Sequence, residues 1–181
     1  ELTFTVKEEM SLTDLAGVFY RSGMFSDIKD ITGAMVKVLA GREMGLEPVQ
    51  SMMSLYIVHD RIGIYAEALA SKIKDDPNSR YKILEHTDEV CSIMFYERID
   101  GAWEECGPPS TFTAADAKKA GTQNMGKFPR NMLFSSALSN GFRWYTPHLK
   151  LARLYTPEEL EEVVANEIGV DGQSQKTAQL E

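Results

Sequence analysis

Seven basic residues and no acidic one lie between Ala117 and Arg153, in a chain of 181 residues with a formal net charge of -8. They are Lys118, Lys119, Lys127, Arg130, Arg143, Lys150 and Arg153. Lysine and arginine bind phosphate groups, and arginine can do so with two parallel hydrogen bonds. The rest of the chain carries 12 basic and 27 acidic residues. The acid-free block is therefore a candidate anion-binding surface in an acidic protein.

The centre of this block, "GKFPRNMLFSSALSNGFRWY" at residues 126–145, predicts an amphipathic helix that begins near Pro129. On a helical projection one half is apolar, with Met132 as the exception, and we expect it to be core. Its aromatic members are Phe134, Phe142, Trp144 and Tyr145. The other half, which we expect to be exposed, consists of Ser135, Ser136, Ser139, Asn140 and Arg143.

That polar half lacks the glutamates and lysines that a solvated helix face usually carries. Small hydroxyl and amide side chains allow another molecule to approach closely and can donate hydrogen bonds to phosphate oxygens. Arg130 and Asn131 lie at the helix start, where backbone amides favour an anion. Lys127 precedes them, and Lys118 and Lys119 belong to the preceding helix. The pattern predicts a track for a polyanion, although a face packed against a neighbouring subunit would explain the composition equally well.

The surrounding segments predict the elements that must position this helix. Capping residues predict helices after Ser11, after Ser26 with an end near Gly45, and after Thr113 with Gly121 as the end. Tyr56–Val58 and Ile62–Ile64 predict a β-hairpin, followed by a helix over Ala66–Lys74. The segments "SRYKILEH" and "EVCSIMFYERIDGAWEE" predict strands, with a tight turn at Asp100-Gly101. Thr156 predicts a last helix, with Pro157 at its first position.

This order of elements predicts an α+β fold in which a central antiparallel hairpin and meander sheet is flanked by helices. The length predicts one domain over residues 1–168, and the polar residues 169–181 predict a flexible tail or linker.

We expect no signal peptide and no membrane span. With only Cys91 and Cys106, no disulfide framework is expected, and a reducing cytoplasm is the default. Cys91 is expected to be a buried apolar residue.

Signals for enzymatic chemistry are weak. The sequence contains no phosphate-binding loop of the Gly-Lys-Ser/Thr type, no paired CxxC motif and no HExxH motif. His59, His86 and His148 are far apart, and we interpret each as a turn or surface residue. We expect no catalytic residues, no metal site and no cofactor, and we leave a role for Mg²⁺ open.

The order and spacing of these features resemble the RecT/Redβ family of single-strand annealing proteins of phages and prophages. "FPRNMLFSSALSNGFRWY…LYTPEEL" is similar to the family signature at Pro129, Arg130, Met132, Leu133, Ala137, Arg143, Tyr155 and Glu158. "GREMGLEPVQSMMSLYIVHDRIGIYAEALASKIK" resembles its Gly-Leu-Pro turn, hairpin and helix, and "YKILEHTDEVCSIMFYERIDG" resembles its meander. The resemblance spans residues 30–162.

The resemblance implies an ATP-independent protein that binds single-stranded DNA and holds the annealed duplex in an open groove. It also implies a homo-oligomer, either a ring or a helical filament, in the cytoplasm of a bacterial host, with a phage exonuclease or a host single-strand binding protein as a partner. Arg130, Asn131 and Arg143 match the DNA-contacting positions of the signature. Ser136 departs from it, since a basic residue is common there.

The predicted DNA-binding residues are Lys118, Lys119, Lys127, Arg130, Asn131, Ser136, Asn140, Arg143 and Arg153. We further hypothesise that the acids of Glu158–Glu162 pair with a neighbouring subunit's basic residues. The alternative interpretation is a structural assembly module without nucleic-acid activity, whose serine-rich helix face meets another subunit. An enzyme acting on a small anionic substrate around Arg143 is a third class.

Overall fold

The computed structural model describes residues 10–58, 60–149, 156 and 159. Within them the chain has six α-helices and two antiparallel sheets, one of two strands and one of four. This confirms the predicted α+β class with antiparallel sheets flanked by helices. The chain divides into two compact units, Glu1–Met53 and Ser54–Glu181. In the described ranges no helix has the length and apolarity needed to cross a membrane.

The described part of the first unit contains α1 (Leu12–Ser22), α2 (Ile31–Glu43) and all but the last residue of α3 (Pro48–Ser54). The predicted cap of α1 is confirmed, because the backbone N–H of Asp14 donates to the Ser11 hydroxyl at 3.1 Å. Pro48 is the first residue of α3. Proline suits a first helical position because its missing N–H has no partner there.

The predicted start of α2 at Ser26 is wrong. Asp30 caps the helix, and its carboxylate accepts a hydrogen bond from the Gly33 N–H at 2.7 Å. Asp27 instead forms an ion pair with Lys37 at 2.8 Å, and the two side chains are only 6% and 1% exposed. This buried pair holds the segment before Asp30 outside the helix, an arrangement that no local capping signal reveals.

The second unit opens with the predicted hairpin. Strands β1 (Leu55–Val58) and β2 (Arg61–Ile64) pair antiparallel, with Leu55 opposite Ile64. Asp60 turns the chain with a positive φ of 60°. Helix α4 (Ala66–Asp75) follows, as predicted.

The four-stranded sheet consists of β3 (Ser79–His86), β4 (Val90–Ile99), β5 (Ala102–Glu105) and β6 (Ser110–Thr113). Strand β4 is central: β3 lies along one side, and β5 and β6 pair with its two ends on the other side. The turn at Asp100-Gly101 is confirmed, with φ of 50° and 86°. Strand β6 was not predicted, because it is short and directly follows two prolines. It depends on pairing with β4 rather than on a local pattern.

Helices α5 (Ala114–Ala120) and α6 (Pro129–Tyr145) follow the sheet, and a short 3-10 helix over Pro147–Leu149 comes after α6. Thr113 caps α5 as predicted, Asp116 completes a reciprocal cap with it, and Gly121 ends the helix as predicted, with φ of 77°. The inner face of the sheet packs on α6 through Cys91, Ile93 and Phe95, all buried. At Gly141 an added Cβ would overlap the Phe95 ring, so only glycine allows the helix to lie this close to β4.

Of the predicted last helix, only Thr156 and Glu159 are described. Their side chains cap each other's backbone N–H groups: Thr156 donates to Glu159 Oε2 at 2.8 Å, and Glu159 donates to Thr156 Oγ1 at 3.4 Å. This agrees with Thr156 as the cap. The predicted tail 169–181 and the residues His59, Lys150 and Arg153 lie outside the described residues.

Candidate nucleic-acid interface

Helix α6 is buried on more sides than its sequence indicates. It contacts β4, β6, α4 and α5, and eight of its seventeen residues are buried. Ser135, Ser136 and Ser139 are among them. Their predicted exposure is wrong, because small side chains in this helix allow close packing within the unit instead of close approach by a phosphate chain. Trp144 departs in the opposite sense: it was predicted to be core, but it is exposed.

Arg143 lies in an internal ion pair. Its Nη2 is 2.7 Å from Glu159 Oε1 and its Nη1 is 3.0 Å from Glu159 Oε2, a two-pronged arrangement. The two side chains are 22% and 14% exposed. Nη1 also donates to the Ser139 hydroxyl and Nη2 to the Asn140 carbonyl oxygen, each at 2.7 Å. A phosphate would have to displace this carboxylate to reach Arg143.

The acid that neutralises Arg143 lies six residues beyond the acid-free block. Glu159 was predicted to pair with a neighbouring subunit, but in this structure its carboxylate binds Arg143 of its own chain. The continuous cationic track along α6, with Ser136, Asn140 and Arg143 facing a ligand, is therefore not present. Arg143 holds the helix to Glu159, Asn140 accepts a hydrogen bond from Arg143, and Ser136 is buried.

The start of α6 has a different environment. Arg130 is exposed, and its Nε is 2.8 Å from Asp88 Oδ1, with both side chains more than half exposed. Surface pairs of this kind are worth only about 0.2–1 kcal/mol, so phosphate can compete for Arg130. Its backbone carbonyl is 3.0 Å from the Nε2 of His86. Asn131 is exposed and lines a cavity of about 310 Å³ with His86 and the first residues of α4.

The remaining predicted cations are exposed. Lys118 and Lys119 occupy the last turn of α5, and Lys127 lies in the segment that leads to α6. Lys118 and Gly126 line one shallow cavity, which places the end of α5 beside the residue that precedes Lys127. We call these exposed residues the α5–α6 rim: Lys118, Lys119, Lys127, Arg130 and Asn131.

One acidic side chain near the rim has a lowered pKa. Hydrogen bonds from Thr113, together with the nearby Lys119, lower the pKa of Asp116. The rim therefore faces at least Asp88 and Asp116, and its net charge is smaller than the count of lysines and arginines alone indicates.

Sequence reasoning missed a second group of cationic and aromatic residues, on the sheet. The guanidinium carbon of Arg80 lies 4.1 Å from the Trp103 ring centroid and 5.1 Å from that of Tyr96. These three residues lie on three different strands, so only the strand register brings them together. Alternation along β4 could have placed Tyr96 on the other face of the strand from the core residues Phe95 and Ile93. It could not have shown that Arg80 and Trp103 lie beside Tyr96.

A serine, a histidine and an aspartate also meet near the end of α6, but not as a nucleophile relay. His148 Nε2 is 3.2 Å from both Ser79 Oγ and Asp76 Oδ2. A relay needs the two ring nitrogens to serve different partners, whereas here one nitrogen serves both. Burial alone would raise the pKa of Asp76, but hydrogen bonds from Ser79, His148 and the Asn78 backbone outweigh it and lower that pKa. The cluster fastens the segment after α6 to the start of β3.

The thiols and the other potential ligands form no site in the described ranges. Cys91 is buried, as predicted, and burial raises the pKa of its thiol to about 11. Burial and the nearby Glu97 carboxylate raise the pKa of Cys106. Among the described residues, no three histidine, cysteine or acidic side chains gather as metal ligands would.

Comparison with known proteins adds no relative. The chain matches no protein-family model, no curated protein and no solved structure.

Proposed function

We propose that this chain is an ATP-independent single-stranded DNA binding and annealing protein that grips the sugar-phosphate backbone at the α5–α6 rim. The observation that carries the proposal is that four exposed cations lie at the end of α5, at the start of α6 and in the segment between them, in a chain with net charge -8: Lys118, Lys119, Lys127 and Arg130. The resemblance of the sequence to the RecT/Redβ family supports the same function.

The proposed mechanism is electrostatic. Each neutralised phosphate releases condensed counterions, so the affinity for a single strand falls as the salt concentration rises. Each phosphate contact adds about −0.7 to the slope of log affinity against log salt concentration. Four contacts predict a slope of about −3. Backbone contacts leave the base edges free, and complementary strands then select each other by base pairing. The sequence contains no Gly-Lys-Ser/Thr phosphate loop, which agrees with annealing that needs no ATP.

In this proposal Arg143 is a positioning residue. It holds α6 against Glu159, and α6 in turn presents Arg130 and Asn131 at its other end.

We also propose that the protein works as a ring or helical homo-oligomer on single strands and nascent duplex. A phage exonuclease or a host single-strand binding protein would be its partner in the cytoplasm of a bacterial host.

The proposal is tested by annealing two complementary oligonucleotides without ATP. The Lys118→Gln, Lys119→Gln, Lys127→Gln triple variant should anneal at least about tenfold more slowly at moderate salt, because three contacts of the rim are lost. A matched control removes three exposed cations elsewhere, Lys29→Gln, Arg42→Gln and Lys74→Gln, and should retain the rate. Absence of strand binding by the wild-type protein at low salt would reject the function.

The second candidate is a structural assembly module. The burial of Ser135, Ser136 and Ser139 removes the serine face as its interface. What favours this candidate is the number of large apolar side chains exposed in the first unit, among them Val36, Leu39, Val49 and Met53. An assembly module would show self-association without any effect of single-stranded DNA on sedimentation.

A further inference from the structure

The outer face of the four-stranded sheet carries cations and aromatic rings in register. Alternation along β4 points Phe95 and Ile93 toward α6, and therefore points Tyr96 and Arg98 to the opposite face. Arg80 pairs with Tyr96, Lys82 with Met94, and Trp103 with Arg98. Directly opposite residues project from the same face of an antiparallel pair. We call Arg80, Lys82, Tyr96, Arg98 and Trp103 the sheet platform.

Arg80 reaches across the central strand of this face. It lies on β3, whereas Trp103 lies on β5, so its guanidinium crosses β4 to stand 4.1 Å from the Trp103 ring centroid. The same guanidinium is 5.1 Å from the Tyr96 ring centroid. Such contacts stabilise a cation over an aromatic ring, and they keep three planar groups together on the outer face of the sheet.

The platform is accessible and cationic. Arg80, Lys82 and Arg98 are exposed, and Tyr96 and Trp103 are half-buried. Glu85 and Glu105 share the face by register, so the cations exceed these acids by one in a strongly acidic chain. A purely structural contact between β3 and β5 would need only the Arg80 cation on the two rings. Such a role would leave the presence of Lys82 and Arg98 beside this contact, on the same face, unexplained.

We infer that the sheet platform stacks the bases of a single DNA strand, with Arg80 and the rings as stacking surfaces and Lys82 and Arg98 as phosphate contacts. Bases stack on aromatic side chains and on arginine planes with little regard to sequence. This inference rests on the proposed function and adds to the rim a site that depends on bases. Bases inside a duplex have no free faces to offer, so the platform binds unpaired strands and releases them on pairing.

Fluorescence tests this directly, because the chain has two tryptophans. In a Trp144→Phe background the only remaining tryptophan is Trp103, on the platform. Titration with oligo(dT) at low salt should quench its emission, whereas an abasic strand of equal length and charge should not. In the same background Trp103→Leu should lose about fivefold or more of the preference for oligo(dT) over the abasic strand. Trp103→Tyr should restore that preference and so control for damage to the fold.

The outcomes separate this inference from the function on which it rests. If both strands bind with equal affinity and Trp103 emission does not change, the platform is not a base-stacking site, and the rim with its annealing function stands. If no strand binds at low salt, the proposed function fails and this inference fails with it. If Trp103→Tyr does not restore the preference lost in Trp103→Leu, aromatic stacking is not the cause and the inference is overturned.

Discussion

The two ends of α6 carry the same kind of ion pair in different environments. At the C-terminal end Arg143 and Glu159 are mostly buried and share two hydrogen bonds, with Ser139 and Asn140 around them. At the N-terminal end Arg130 and Asp88 share one contact in solvent. Arg130 and Arg143 were both predicted to contact DNA. Their surroundings make one a structural fastening and leave the other available to a ligand.

The largest loss of stability is expected from a substitution at the buried, C-terminal end of α6. Arg143→Ala should lower the free energy of unfolding by about 2–4 kcal/mol, because it leaves the Glu159 carboxylate mostly buried without its partner. Urea denaturation followed by circular dichroism measures this loss. A loss below about 0.5 kcal/mol would contradict the structural role of Arg143.

The next largest loss of stability is expected where the C-terminal half of α6 packs closely on the sheet. Gly141→Ala should cost about 1–3 kcal/mol, since the new Cβ overlaps the Phe95 ring and the helix must shift from β4. Gly126→Ala, just before the helix, is the matched control, because nothing lies within 4 Å of the Cβ it would gain. Equal melting temperatures for the two variants would show that α6 is not held against the sheet here.

Low pH should destabilise the C-terminal end of α6 through protonation of Asp76. Its pKa in the folded protein lies below the ordinary value of 3.8, so in acid the folded state binds fewer protons than the unfolded chain. The stability it provides is present above about pH 4 and is lost as the pH falls through the folded pKa. The urea midpoint of Asp76→Asn should therefore fall less between pH 6 and about pH 3 than that of the wild-type protein. Asp75→Asn serves as the neighbouring control, and an identical fall in the two variants would count against this contact.

The smallest effect belongs to the exposed end. Arg130→Ala should change the free energy of unfolding by less than about 1 kcal/mol, while it weakens single-strand binding because a phosphate contact is lost. Fluorescence anisotropy and urea denaturation on the same variant measure both quantities. A stability loss as large as that of Arg143→Ala would remove the difference between the two ends.

Elements fixed by neighbouring residues were predictable from the sequence. The reciprocal cap of Thr113 and Asp116, the turn at Asp100-Gly101 and the proline at the first position of α6 each depend on contacts within a few residues. The environment of Arg143 depends on Glu159, sixteen positions away, and the burial of Ser136 depends on elements distant in sequence. Period and charge alone could not reveal either, because a serine in a tight helix contact and a serine facing a ligand give the same pattern.

The central claim is that the exposed end of α6 and the adjoining end of α5 bind phosphates. The most direct measurement is the dependence of single-strand affinity on salt for the wild-type protein and for Lys118→Gln, Lys127→Gln. With two contacts removed, the magnitude of the log–log slope should decrease by about 1.4. An unchanged slope would place the phosphate contacts elsewhere and contradict the account.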